Sequence, residues 1–108
     1  MASFNDFWKE LKKEVVEFAA YSWKDYEKEA IKDGKNFLDK SKADLERWSR
    51  MLASGDLTRD DFEWLLVGKK DLAELVALKQ KGLAKVAQDR FVNGLIDMIV
   101  STAFKVFA

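Results

Sequence analysis

The sequence contains no cysteine, no histidine and no proline. Without cysteine there is no disulfide framework, no thiolate nucleophile and no thiolate metal site. Without histidine the commonest general base and the commonest transition-metal ligand are missing too. Any chemistry falls to carboxylates, lysine, serine or tyrosine, and a Ser-His-Asp arrangement is excluded. Without proline the backbone nowhere forbids a helix from continuing, and with five glycines the helices are stopped by local capping. An excess of one charge is lacking as well: 19 Lys and Arg balance 19 Asp and Glu. That balance removes the cationic surface on which non-specific nucleic-acid binding rests, so no nucleic-acid partner is expected. The opening MASFNDFWKELKKE carries Asp6 and Glu10 and has no apolar core of signal-peptide length. No uninterrupted apolar run reaches the roughly 18 residues of a membrane span. The expectation is a soluble, cytoplasmic protein whose 108 residues form one all-helical domain over 1–108.

What is present is helical periodicity. Ser3 and Asp6 form a capping-box pattern, with Asp in place of Glu. Phe4, Phe7, Trp8, Leu11, Val15 and Phe18 then recur at steps of three and four, and the series continues through Ala19, Ser22, Tyr26, Ala30, Phe37, Ser41, Leu45, Trp48 and Leu52. This predicts one helix over about 3–53, roughly 75 Å long at about 1.5 Å per residue. A weak turn at Asp33, Gly34 and Asn36 is the alternative, and would give a more compact bundle. Pairs such as Lys35 with Asp39, Lys40 with Asp44, Lys42 with Glu46 and Glu46 with Arg50 support the solvent face at about 0.2–0.5 kcal/mol each.

The clear punctuation lies in ASGDLTRDDFEWLLVGKKDLAEL. Gly55 suits a left-handed helix end, and Thr58 with Asp61 suits a helix start. Gly68 closes this short helix, over about 58–67, and Asp71 with Glu74 forms a box for a third helix over about 71–107. The competing reading carries one helix from Thr58 to the end of the chain. Either way the chain doubles back near Gly55, and the expected fold is all-α: a long antiparallel helical hairpin with a short helix at its turn.

The closing FVNGLIDMIVSTAFKVFA is broken clearly by Asn93, Asp97, Ser101 and Lys105, four apart on one narrow stripe. The rest of its circumference needs cover. A single hairpin partner shields one side, and roughly ten kcal/mol of apolar burial would stay unclaimed. The expected response is a homo-oligomeric bundle, with Phe91, Leu95, Ile96, Ile99, Val100, Phe104 and Phe107 at the interface and Phe4, Phe7 and Trp8 at the adjoining end.

The segment from Arg50 to Leu72 has a helix ending in Ser54 and Gly55, then Leu57 and Thr58, then Asp61 and Phe62, then an apolar and Lys-bearing stretch. It resembles the SHOCT motif, a short helical oligomerisation module, and the resemblance implies oligomerisation. The function expected is therefore a non-enzymatic structural or interaction module that self-associates or docks on a larger protein partner. The alternative is a membrane- or lipid-binding amphipathic protein whose aromatic ends open onto acyl chains. No catalytic, cofactor or metal site is expected: Asp60, Asp61 and Glu63 read as acids in the first turn of a helix, where the dipole favours them.

Overall fold

The computed structural model describes residues 3–107; residues 1, 2 and 108 of the expected domain lie outside the described residues. The first helix, α1, spans Phe4–Ser22. Its capping box forms as the sequence implies: Ser3 Oγ accepts from the Asp6 N–H at 3.3 Å, and the Ser3 N–H donates to Asp6 Oδ2 at 3.0 Å. It then stops at Trp23, where the backbone leaves the helical region at φ −131° and ψ 42°. A short 3-10 turn, Lys24–Tyr26, leads into α2, Glu27–Ser54.

The expected continuous helix over 3–53 is thus two helices. Trp23 is buried, with its ring 5.3 Å from that of Phe91, so folding α2 back on α1 gains aromatic burial that an extended helix lacks. The direction is set by which residues meet. Val15 faces Gly34, and seven residues earlier Trp8 faces Lys42, eight residues later. The two helices therefore run antiparallel.

Gly34 does not turn. It lies inside α2 and lets the helices approach so closely that a Cβ there would sit 2.5 Å from Val15 Cγ2 and 3.6 Å from Leu95 Cδ1. Ala30 and Ser41, on the same helix, are buried as well.

α2 ends where Gly55 takes φ 81°, and α3 covers Arg59–Val67 behind Thr58, whose Oγ1 accepts from the Asp61 N–H at 3.2 Å. The expected helix over 71–107 is corrected more heavily. Asp71 lies in a 3-10 turn, Lys70–Leu72, and its box with Glu74 does not form; Glu74 instead pairs with Lys40. A five-residue helix, α4, follows at Val76–Gln80. It ends in a Schellman arrangement, with the Gly82 N–H donating to Lys79 O at 2.9 Å, the Leu83 N–H to Leu78 O at 3.2 Å, and Gly82 at φ 79°. Only then does α5, Lys85–Phe107, begin.

The segment from α3 to α4 runs down the length of α2. Phe62 meets Trp48, Lys69 pairs with Asp44, Glu74 with Lys40, and Ala77 and Leu78 bond to Asp33. α5 returns antiparallel to α1, since Phe91 meets Phe18 at one end and Phe107 meets Phe7 at the other. The extended hairpin is replaced by four segments in up-down order, the third of them broken. Among the described residues all regular structure is helical. The longest extent is 42 Å, and the radius of gyration of 13.5 Å is close to the roughly 13 Å of a compact chain of this size.

This arrangement covers α5 on several sides. Phe91, Val92, Leu95, Ile96, Ile99, Val100 and Ala103 are all buried, while Asn93, Asp97, Ser101 and Lys105 form the exposed stripe. The apolar surplus that a two-helix hairpin would leave is taken up within the chain.

Candidate interaction surface

The side chains expected at an interface are mostly inside. Phe7, Trp8, Phe91, Leu95, Ile96, Ile99 and Val100 are buried, and Phe4, Phe104 and Phe107 are half-buried against the same core. A contact through the seven buried ones would require the bundle to open. The half-buried three are committed as well: Phe107 packs 5.4 Å from Phe7, Phe4 stacks near Trp8 at 5.8 Å, and the Arg59 guanidinium covers Phe104 at 5.4 Å.

Exposed large apolar side chains occur singly on other elements, at Val16, Tyr21, Val76 and Val86, and as a pair on one face of α3. Phe62 and Leu66, one turn apart, are fully buried, with the Phe62 ring edge-on to Trp48 at 6.4 Å. These two side chains fix the rotation of the helix. Residue 64 then points away from the core by helical geometry, and it is a tryptophan. Trp64 is 74 % exposed, against 8 % for Trp8, 7 % for Trp23 and 5 % for Trp48. Val67, on the same face, is 42 % exposed.

Beside Trp64 lies a groove of about 470 Å³ lined by Arg47, Trp48, Trp64, Leu65, Val67, Gly68 and Lys69. Its rim is cationic. Asp44 serves both the Arg47 guanidinium, at 2.9 Å, and the Lys69 ammonium, at 3.0 Å, so one carboxylate stands against two cations. Arg47 also lies 5.9 Å over the Trp48 ring. Two of the three acids of α3, Asp60 and Asp61, occupy its first turn, exposed, one turn before Trp64; the third, Glu63, is half-buried.

Trp64 was not among the residues expected at an interface. The missed signal is local: RDDFEWLLV places Phe62 and Leu66 one turn apart, and a nine-residue helix cannot bury residue 64 against the same neighbour.

The rest of the molecule offers less to a ligand. A cavity of about 650 Å³ is lined by residues of both charges between Lys70 and Asn93. Among the described residues no group of three or more carboxylates is placed to hold a metal ion, and no helix is long and apolar enough to cross a membrane. Shifted carboxyl groups lie in local surface contacts: the Ser3 backbone N–H lowers Asp6 within the capping box, and two glutamates are lowered by lysines. A hydrogen bond from Lys105 holds Glu10 below the usual glutamate range, and the same contact raises Lys105. Lys40 lowers Glu74 in the same way.

No protein-family model matches the chain, and neither the curated proteins nor the solved structures returned a significant match.

Proposed function

We propose that the protein is a non-enzymatic structural or interaction module that self-associates, and that its contact surface is the face of α3 bearing Trp64. The observation that carries this reading is the exposure of Trp64 at 74 % on a helix whose other face is locked into the core. An indole held in water by a rigid support forgoes the burial free energy of a large aromatic, about 1.5–3 kcal/mol. Tryptophan is also the residue type most enriched where binding energy concentrates. Because Phe62 and Leu66 already hold α3 in place, docking on it costs little ordering of the backbone.

One nine-residue helix covers well under the roughly 800 Å² per partner of a standard stable interface. The contact is therefore weak, and its population follows protein concentration. The local resemblance of residues 50–72 to the SHOCT motif supports the same direction, since α3 falls within it.

The three other tryptophans are buried, so collisional quenching by acrylamide reports selectively on Trp64. The expected result is a strongly quenched component in dilute protein that becomes protected as concentration rises and vanishes in Trp64→Phe. Quenching that is the same at every concentration would contradict self-association through this face. Protection that appears on adding lipid vesicles, and not on concentrating the protein, would favour the lipid-binding alternative.

A further inference from the structure

We infer that the occupant of the groove beside Trp64 is Trp64 of a second copy, inserted reciprocally about a twofold axis, with Asp60 and Asp61 of each copy lying over Arg47 and Lys69 of the other. This rests on the reading of the α3 face as the contact surface and adds the partner element and its orientation.

Two observations carry it. The first is shape. A protruding indole and an apolar groove of about 470 Å³ stand side by side on one face, so the same patch supplies both knob and hole. That is the condition for an isologous contact, in which residue i meets j and j meets i. Gly68 lines the groove without a side chain, which leaves that end open to a ring.

The second is charge. The face of α3 is acidic at its start, through Asp60 and Asp61, and the groove rim is cationic, with Arg47 and Lys69 sharing only Asp44. A parallel arrangement would bring the two acidic turns together. An antiparallel one sets each acidic turn against the other copy's cationic rim, and such complementarity fixes register and orientation more than it adds affinity.

The experiment is a charge exchange read by sedimentation velocity, in three proteins: the wild type, Asp60→Lys/Asp61→Lys, and Arg47→Glu/Lys69→Glu. Each charge-reversed protein alone should dimerise at least about tenfold more weakly than wild type, a difference of about 1.4 kcal/mol. An equimolar mixture of the two should restore the association as a heterodimer, a recovery that misfolded variants do not give. Charge reversals that leave association unchanged, while Trp64→Ala abolishes it, would overturn the reciprocal arrangement and leave the contact surface standing. If Trp64→Ala associates as well as wild type, the contact surface itself fails, and this inference with it.

Discussion

Asp33 sits on α2 almost out of water, and its two carboxylate oxygens accept the Ala77 N–H at 3.0 Å and the Leu78 N–H at 2.8 Å. It therefore caps α4 from 44 residues away, and it explains why so short a helix forms behind Leu75, whose φ of 52° is unusual for a branched residue. Asp33→Ala leaves two buried donors unpaired and should cost about 3 kcal/mol in urea unfolding. Asp33→Asn, which keeps an acceptor, should cost less. Ser41 is the opposite case: its hydroxyl is buried with no hydrogen-bond partner among the described residues, so Ser41→Ala should raise stability by about 1 kcal/mol in the same measurement. Lys105, paired with Glu10 at 2.8 Å and Glu14 at 3.5 Å, makes a prediction in pH. Because Glu10 is lowered, its contribution is present above the ordinary glutamate range and is lost as pH falls through the lowered value. Because Lys105 is raised, its contribution is present below the ordinary lysine range and is lost as pH rises through the raised value. In an NMR titration Glu10 should move back toward the ordinary glutamate range in Lys105→Met. A Glu10 midpoint that does not move would show that the pair is not the cause.

At the scale of elements, the features legible in sequence were those made by neighbours in the chain. The Ser3–Asp6 box, the Thr58 cap and the left-handed Gly55 depend on residues within a few positions of one another, and all three are in the structure. The Glu46–Arg50 pair forms at 3.5 Å. Lys40, expected to pair with Asp44 along its own helix, pairs with Glu74, and Asp44 pairs with Lys69 and Arg47. The breaks at Trp23 and Gly82 were not legible from periodicity. The apolar series runs through residue 23 with no change of phase, and what stops the helix there is the burial of Trp23 against Phe91, a partner 68 positions away. The apolar series passes Gly34 without a break and the helix there is continuous, so the weak turn that was the alternative does not form, and the use of Gly34 is close approach. Gly34→Ala should therefore destabilise by about 1–3 kcal/mol, because the stiff Val15 side chain must move. In a Val15→Ala background the same change should be neutral or stabilising, since alanine is the better helix former. Chemical unfolding of the four proteins in this cycle checks the sign.

At the scale of the whole molecule, the short third segment governs what surface remains. Had the chain formed a two-helix hairpin, the aromatic ends would have been the exposed apolar surface, and Phe91 to Phe107 the natural place for a second copy. Because α3, α4 and the turns between them lie along α2 and α5, those side chains are covered from within. Among the large apolar side chains that remain outward, beside Tyr21 on α1 and Val86 on α5, is one that a nine-residue helix cannot turn inward, Trp64. The exposure of Trp64 was not legible in the sequence, since it depends on which neighbours α3 meets. The most direct measurement is absolute mass by light scattering, from dilute to concentrated protein, for the wild type and Trp64→Ala together. The account predicts a wild-type mass that climbs from 12.5 kDa toward twice that value, and a variant that stays monomeric and folded. A wild type that remains monomeric throughout, or a variant that associates equally well, would contradict it.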